Sequence, residues 1–301
     1  MKARNNLPKC GLCDTGDTKT LIRKGPLTLV KCRKCGMVFV KSFLSKDEAA
    51  RIHDYLSYSK SDPPNPITIK RYKEYLERIE TEKKTGQLLD IGFGRGDFLV
   101  TAREREWSTY GTEISEAAFI LGKKRGLKVY YGELQEVNFH NGQFDVITMF
   151  EVIEHLQYPF SYLKEINRIL RMGGVLILST PNFNSLTRLC IGRKWGVISP
   201  EHSYYFSCRT IENAFKKTGF QVEKILSKNI NLHRAIRDFG INLNKPGQTK
   251  EKESNLRNKI ERNKYLFLAK EMINLLLRTF KIGDTINVYA RKTQDLNFSG
   301  K

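Results

Sequence analysis

The chain has 301 residues, of which 40% are hydrophobic and 28% are charged, and its formal net charge is +20. This composition is typical of a globular protein with one or two domains and excludes a chain that is disordered throughout. The apolar runs are far shorter than the roughly 18 residues that cross a bilayer, and the first residues lack a signal-peptide pattern, which predicts a cytoplasmic protein. The positive charge raises nucleic acid or an anionic membrane surface as partners.

The positive charge is concentrated in two segments of the chain. Residues 1–41 and residues 228–281 each carry a net charge of +8, whereas residues 42–227 carry only +3. The function of the nearly neutral region is therefore not expected to depend on a polyanion that wraps around it. We interpret the two basic segments as docking elements, which could hold a phosphate-bearing acceptor or an anionic surface near the site.

Four cysteines predict a zinc ribbon over residues 1–41. Cys10 and Cys13 form one Cys-x-x-Cys pair, and Cys32 and Cys35 form a second, with 18 residues between the pairs. This spacing is typical of zinc sites, and four thiolates leave no open coordination position, so the predicted site is structural. A disulfide role is disfavoured because the chain shows no secretion signal, and a redox pair would need no second Cys-x-x-Cys.

A glycine-rich loop follows the first strand of the central region. After a polar helical linker region in residues 42–85, the strand at 87–91 leads into Gly92-Phe93-Gly94-Arg95-Gly96-Asp97 and then into a helix with apolar periodicity. A dinucleotide fingerprint would need a third glycine at position 97, and a P-loop would need Gly-Lys-Ser/Thr, so both are disfavoured. The three glycines instead let the backbone approach a small molecule at the amino end of the helix.

Strands and helices alternate after this loop. Further strands are predicted at 109–114, 127–131, 144–150, 174–179 and 284–292. This alternation predicts an α/β fold with a parallel, doubly wound sheet. Glu113 lies at the end of the second strand, 23 residues after Asp90. A carboxylate at that position can accept hydrogen bonds from both hydroxyls of a ribose.

Four motifs in this order resemble those of the class I S-adenosylmethionine-dependent methyltransferases. They are residues 88–96, Glu113, residues 144–159 and the strand that begins at Gly173-Gly174. The resemblance covers residues 86–227, with the last strand in 282–293, and implies a Rossmann-like, seven-stranded methyltransferase sheet. It also implies S-adenosylmethionine as the cofactor.

Two groups of methyltransferases share further segments with the chain. Residues 149–155 are similar to a segment of the ubiquinone-biosynthesis O-methyltransferases. The four-cysteine ribbon and residues 200–207 are more similar to methyltransferases of sugar and polysaccharide clusters. Residues 228–281 form an insertion before the last strand that none of these motifs explains.

The resemblance assigns the cofactor site to the glycine loop and the strand ends. The loop is expected to carry the methionine part, Glu113 to hold the ribose, and Asp90 to reach the amino group directly or through water. Glu133 and Leu134 are expected to border the adenine. The full set of predicted cofactor residues is Asp90, Gly92, Gly94, Gly96, Glu113, Glu133, Leu134 and Phe150.

The acceptor side has candidate catalytic residues in two segments. Methyl transfer mainly requires an acceptor held in line with the sulfonium carbon, and a base is needed where the acceptor carries a proton. His202 is the first candidate base and His155 the second, while a capping role for His202 stays open. Tyr204 is expected to line the acceptor pocket, although an aromatic residue there is also consistent with core packing.

A divalent ion is a further expectation for the segment that follows the fourth strand. Glu151, Glu154 and His155 have the spacing that places three side chains on one helix face, and this donor set suits Mg²⁺, Mn²⁺ or Zn²⁺. In the ubiquinone O-methyltransferases that this segment resembles, the motif binds a divalent ion, which could acidify an acceptor hydroxyl. The alternative is two glutamates stabilised by the helix dipole and a histidine bonded to the backbone.

The insertion at 228–281 is predicted to form one or two basic helices over residues 250–280. An apolar stripe includes Leu256, Ile260, Tyr265, Leu268 and Met272. Such a stripe is consistent with core packing or a homodimer contact, with a lid over the acceptor, or with peripheral contact to an anionic membrane.

These observations predict a methyltransferase that acts on O or C of a small-molecule acceptor. A sugar, a nucleotide- or lipid-linked sugar and a phenol are the acceptors that the similar segments favour. The alternatives are a zinc-ribbon RNA methyltransferase, which the net charge favours, and a non-catalytic binding module. Nucleic acid is disfavoured because Phe150-Glu151 lacks the Asn/Asp-Pro-Pro-aromatic signature of base-nitrogen methyltransferases.

Overall fold

The computed structural model describes residues 9–43, 48, 66–228 and 263–296. Their eleven strands form two sheets. The strands are β1 (Thr18–Lys24), β2 (Leu27–Cys32), β3 (Val38–Val40), β4 (Gln87–Ile91), β5 (Ser108–Glu113), β6 (Lys128–Tyr131), β7 (Phe144–Phe150), β8 (Leu170–Pro181), β9 (Tyr204–Tyr205), β10 (Phe220–Lys228) and β11 (Thr285–Lys292).

Seven strands form the central sheet, in the order β10-β11-β8-β7-β4-β5-β6. β4, β5, β6, β7 and β8 are parallel to their neighbours among these five, whereas β11 is antiparallel to both β8 and β10. The predicted Rossmann-like, seven-stranded methyltransferase sheet is thereby confirmed. Its parallel strands end at one edge, where ligands bind in open sheets of this kind.

Helices cover both faces of the central sheet because its strands are apolar on both sides. The helices are α1 (Pro66–Ile79), α2 (Asp97–Arg103), α3 (Glu116–Lys124), α4 (Pro159–Ile169), α5 (Leu186–Ile191), α6 (Cys208–Lys217) and α7 (Lys264–Phe280). Three single 3₁₀ turns occupy Glu80–Glu82, Leu134–Glu136 and Gly192–Lys194. Helices α1 and α2 pack against each other beside the glycine loop, and α7 packs against β10.

The four-cysteine ribbon is joined to the core through the second sheet. That sheet has the order β1-β2-β3-β9, so the strand at Tyr204–Tyr205 extends the sheet of the ribbon. The pairing sets Phe39 opposite Tyr204 and Val38 opposite Tyr205. A Lys217 Nζ group also donates to the carbonyl of Leu12 at 2.8 Å. The ribbon therefore lies against the segment that carries the predicted acceptor residues.

The predicted insertion is described only in part. Its last helix is α7, which ends at Phe280, while Leu256 and Ile260 lie outside the described residues. No helix among the described residues is both long and apolar enough to cross a membrane.

Candidate active site

The glycine loop connects β4 to α2 through three residues with positive φ. Gly92, Gly94 and Gly96 have φ values of 68°, 57° and 74°, which residues with a Cβ atom rarely adopt. A Cβ atom on Gly92 would also lie 2.5 Å from a methyl group of Val152, and one on Gly96 would lie 2.5 Å from a methyl group of Leu127. Glycine is thus required at 92 and 96 both by the backbone conformation and by neighbouring side chains.

Glu113 fixes the loop from the end of the adjacent strand. Its Oε2 atom accepts a hydrogen bond from the amide of Gly94 at 3.0 Å, and its Oε1 atom accepts from the amides of Ile114 and Ser115 at 2.9 and 3.0 Å. The side chain is buried. A carboxylate offers about four lone-pair sites, so these three bonds are compatible with one further bond, from a ribose hydroxyl.

Asp90 lies at the same edge of the sheet and is almost completely buried. Its Oδ1 atom accepts a hydrogen bond from the Thr148 hydroxyl at 2.6 Å. The pKa of Asp90 is raised from 3.8 to about 7, mainly by burial, with the Thr148 hydrogen bond opposing the rise and the Glu113 carboxylate adding to it. An ammonium group placed beside Asp90 would favour its ionised form, so the predicted contact with the amino group of the cofactor fits this environment.

Glu133 and Leu134 follow the end of β6. Glu133 caps the 3₁₀ turn at Leu134–Glu136 and is bonded reciprocally with Glu136, whose carboxylate accepts from the Glu133 amide at 2.9 Å. Leu134 is buried. The turn lies beside the ends of β5 and β6, where the resemblance predicts the adenine.

Aromatic side chains of α1 cover Phe150, a contribution that sequence reasoning missed. The ring of Tyr75 stacks on Phe150 with centroids 5.1 Å apart, and Tyr72 stacks on it at 6.2 Å. The Tyr75 hydroxyl donates to Oδ1 of Asn287 at 2.5 Å, which ties α1 to β11. The sequence predicted a helical region at 42–85, but no local signal placed its aromatic side chains over the end of β7.

The prediction that Glu151, Glu154 and His155 lie on one helix face is wrong. These residues form turns, and Glu151 itself has a φ of 56°, which is incompatible with a helix. Glu151 instead accepts a hydrogen bond from the Ser179 hydroxyl at 2.9 Å. The potential ligand atoms that do lie together, within 4.8 Å of one another, belong to Glu154, His155 and His202.

The cluster of Glu154, His155 and His202 is held by two chain segments that bond to each other. The backbone carbonyl of Glu154 accepts from the amides of Ser203 and Tyr204 at 2.8 and 3.0 Å. The Nδ1 atom of His155 donates to the carbonyl of Glu201 at 3.0 Å, which leaves the lone pair on Nε2. The rings of His155 and His202 meet edge to face at 4.6 Å. Two histidines far apart in sequence are thus brought together.

Glu154 carries an unusual carboxyl group in this cluster. It is completely buried, and its Oε2 atom accepts from the Thr180 hydroxyl at 3.0 Å. Burial raises the pKa of Glu154 well above its usual value, and the nearby Glu151 carboxylate raises it further. A buried carboxyl beside two imidazoles is typical of a functional site.

Tyr204 packs between the ribbon and the core. Its ring stacks on Phe39 and Phe43 with centroids 5.9 Å apart, and it lies 6.2 Å from the ring of Phe160. A Cβ atom on Gly11 would come within 2.8 Å of the Tyr204 hydroxyl oxygen. These contacts give Tyr204 a packing role at the interface, which agrees with the core-packing alternative.

The four ribbon cysteines converge at a single point. The sulfurs of Cys10 and Cys35 are 3.4 Å apart, as are those of Cys13 and Cys32, and all four lie within 4.8 Å of one another. A tetrahedral zinc ion with Zn–S bonds of about 2.3 Å separates its sulfurs by about 3.8 Å, so the four cysteines fit such an ion.

The comparisons with known proteins identify the domain. A family model described as "Methyltransferase domain" matches residues 67–225, which is more than half of the chain. The chain belongs to this methyltransferase family. The glycine loop, Glu113 and the seven-stranded sheet therefore form a class I S-adenosylmethionine-dependent methyltransferase domain.

Curated relatives match parts of the chain. A probable S-adenosylmethionine-dependent methyltransferase of Mycolicibacterium smegmatis is 26% identical over 52% of this chain and 60% of its own length. A ubiquinone biosynthesis O-methyltransferase of Pseudomonas aeruginosa is 32% identical over 33% of this chain and 45% of its own length. The matches thus span about half the length of these relatives.

Solved structures share the fold at low sequence identity. Phosphoethanolamine N-methyltransferase 2 of Haemonchus contortus, in complex with S-adenosyl-L-methionine, has a TM-score of 0.54 and 18% identity, covering 85% of this chain and 62% of its own. The [4+2]-cyclase SpnF has a TM-score of 0.56 and 13% identity, covering 83% of this chain and 97% of its own. The shared fold therefore does not identify the acceptor, which depends on the side chains of the site.

Proposed function

We propose that the protein transfers a methyl group from S-adenosylmethionine to an oxygen or carbon of a small-molecule acceptor. The observation that carries this proposal is the pairing of Glu113 with the Gly94 amide at 3.0 Å. It places a buried carboxylate at the glycine loop, in a chain of the methyltransferase family, where a ribose and the methionine part of the cofactor can be held together.

The residues around this pair would hold the remaining parts of the cofactor. The glycine loop would bind the methionine part, with Asp90 at its amino group, Leu134 and Glu133 at the adenine, and Phe150 beside the reacting end. When bound, the cofactor supplies the methyl group on a positively charged sulfur. The chain itself then has to exclude water and align the acceptor, for which the aromatic cover from α1 is suited.

His202 is the base that we propose for acceptors with a hydroxyl or an acidic carbon. Such an acceptor loses a proton during the transfer, and an imidazole is suited to accept it near neutral pH. His155, whose Nδ1 bond to Glu201 fixes its tautomer, is the second candidate. The buried Glu154 carboxyl, whose pKa is raised, would stabilise the positive charge on either imidazole only in its ionised form.

The same cluster supports a divalent ion as an alternative role. One carboxylate and two imidazoles form a donor set that favours Zn²⁺ and related transition metals over Mg²⁺. The ligands would then be Glu154, His155 and His202, since Glu151 lies outside the cluster. Metal analysis tests this alternative: two metal ions per chain, with one lost in His202→Ala, would support it, whereas one ion per chain that His202→Ala retains would contradict it.

The ribbon would hold one structural zinc ion through Cys10, Cys13, Cys32 and Cys35. Burial raises the pKa of the Cys10 thiol, so a metal ion is needed to stabilise its thiolate. Because four thiolates complete the coordination, this ion would take no part in methyl transfer.

Helix α7 would make the outer contacts of the protein. Several apolar side chains of α7 expose more than half of their surface, and they include Tyr265, Leu268, Met272, Leu276 and Phe280. A homodimer contact, a lid and an anionic membrane surface are the roles predicted for this row. Light scattering and flotation with anionic vesicles separate them, since a dimer changes the mass in solution and membrane contact changes only the flotation.

The acceptor can be found with labelled cofactor. The protein is incubated with methyl-labelled S-adenosylmethionine and separate fractions of polar metabolites, lipids and RNA. Label in the polar or lipid fraction is expected. Label confined to RNA would favour an RNA methyltransferase, and a protein that binds the cofactor but labels no fraction would favour a non-catalytic module.

A further inference from the structure

Four basic residues on three elements lie in the region around the end of β10, apart from the residues assigned above. Lys228 is the last residue of this strand, and Arg278 lies in the last turn of α7, which packs on the strand. Arg71 and Arg78 lie seven positions apart on α1, and this spacing of two turns places them on one face of the helix. The Arg78 guanidinium lies 5.7 Å from the centre of the Tyr289 ring on β11, the strand that pairs with β10. Three separate elements thus contribute cations to this region.

The charges of the three arginines all act on Lys228. Burial lowers the pKa of Lys228, and the charges of Arg278, Arg78 and Arg71 lower it further, while Glu74 acts in the opposite direction. Three cations and one carboxylate therefore act on Lys228. Mutual repulsion of this kind costs free energy that a bound anion would remove.

Other arginines at the core of the protein are neutralised. Arg171 binds the buried carboxylate of Asp145 at 2.6 Å, and Arg291 binds both Glu82 and Glu223. Within the described part of the chain, Arg71 and Lys228 form no such ion pair. Arg71 and Lys228 consequently differ from the arginines that form structural ion pairs in this fold.

The basic group borders the candidate active site. β10 is antiparallel to β11, which is antiparallel to β8, so Lys228 lies at the same edge as the ends of the parallel strands. Tyr75 lies between Arg71 and Arg78 on α1 and stacks on Phe150. Arg71 and Arg78 lie about one helical turn on either side of Tyr75, so both are near the end of β7.

We propose that Arg71, Arg78, Lys228 and Arg278 form a subsite for a phosphate or diphosphate group on the acceptor. Guanidinium groups bind phosphoryl oxygens in pairs, and a partly buried lysine adds a point charge. The subsite deepens the proposed function and rests on it, since it selects acceptors that carry a phosphoryl group. A nucleotide-linked sugar and a lipid-linked diphosphate share this chemistry.

Calorimetric titration of the full chain with inorganic pyrophosphate tests the subsite. We expect the double variant Arg71→Gln/Arg78→Gln to bind at least ~10-fold more weakly than the unaltered protein, because each lost guanidinium removes a charge-assisted pair. The control Lys73→Gln/Lys123→Gln removes the same charge from exposed positions, one on the opposite face of α1 and one on α3. Equal weakening in both doubles, or no binding to the unaltered protein, would overturn the proposal.

Competition experiments distinguish a soluble acceptor from a lipid-linked one, and a second variant and a cofactor titration serve as controls. Displacement of pyrophosphate by uridine diphosphate would support a soluble, nucleotide-linked acceptor. Displacement by vesicles that contain phosphatidic acid would support a lipid-linked acceptor. If neither displaces pyrophosphate, the protein binds the inorganic ion only, and the subsite proposal is overturned. Lys228→Met gives a second variant with the same expected loss, with its unfolding midpoint measured alongside. S-adenosylhomocysteine binding is followed in the same samples: if it is absent while pyrophosphate binds, the methyltransferase proposal fails and the anion site remains.

Discussion

The backbone of Val40 donates a hydrogen bond to the carbonyl of Ser203 at 3.0 Å. This bond, with the pairing of β3 and β9, connects the four-cysteine ribbon to the residue that follows His202. Strand β3 of the ribbon begins at Val38, three residues after Cys35. A zinc ion in the ribbon would therefore hold the acceptor segment in place without touching the acceptor.

Loss of zinc is expected to reduce methyl transfer more than cofactor binding. In Cys35→Ser, the strand β3 loses its fixed start, and a shift of the His202 segment by about 1 Å would lower turnover by up to ~100-fold. S-adenosylhomocysteine affinity should change by less than ~3-fold because the glycine loop lies elsewhere. The exposed Cys190→Ser is the control, and a parallel loss of affinity and turnover in Cys35→Ser would contradict this coupling.

Substitution of Gly92 by alanine is expected to destabilise the protein more than the same change at Gly25. Both residues have positive φ, at 68° and 58°, which costs roughly 1 kcal/mol for a residue with a Cβ atom. The new Cβ atom at 92 would also collide with Val152, whereas the one at 25 meets nothing within 4 Å. Urea unfolding measures the difference, and equal losses in the two variants would show that the Val152 contact is unimportant.

Removal of the Tyr75 hydroxyl is expected to lower the free energy of unfolding by about 1–3 kcal/mol, since it leaves the buried Asn287 oxygen without its donor. Tyr75→Phe keeps the ring that stacks on Phe150, so the change isolates the hydrogen bond. The exposed Tyr131→Phe serves as the matched control. A Tyr75→Phe protein as stable as the control would mean that Asn287 finds another donor.

The sequence specified the local features of this site better than its long-range contacts. The glycine loop and Glu113 could be predicted because strand, turn and helix signals lie within thirty residues. The helix predicted at Glu151 was wrong because the spacing of two glutamates and a histidine says nothing of the positive φ at 151. The meeting of His155 with His202 depends on contacts between segments 47 residues apart, which no local pattern encodes.

Cofactor binding is expected to release a proton at pH 6. With a pKa of about 7, Asp90 is mostly protonated in the free protein at that pH, and a positively charged amino group would favour its ionised form. Because folding raises the pKa of Asp90, the free energy of unfolding of the cofactor-free protein is also expected to fall as the pH rises from about 4 to about 7. Calorimetry of S-adenosylhomocysteine binding in buffers of different ionisation enthalpy measures the release.

Proton release should disappear above about pH 8.5, where Asp90 is already ionised. Asp90→Asn should bind more weakly and without release at pH 6. The same release from Asp90→Asn would assign the proton to another group.

Titration of the protein with S-adenosylhomocysteine tests the central claim most directly. We expect binding of the unaltered protein, with Glu113→Gln weakened by at least ~10-fold because it loses charge-assisted hydrogen bonds to the ribose. Glu116→Gln, an exposed position in the first turn of α3, should bind as the unaltered protein does. No binding by the folded, unaltered protein, or equal affinity of the Glu113 and Glu116 variants, would contradict the assignment of this edge of the sheet as the cofactor site.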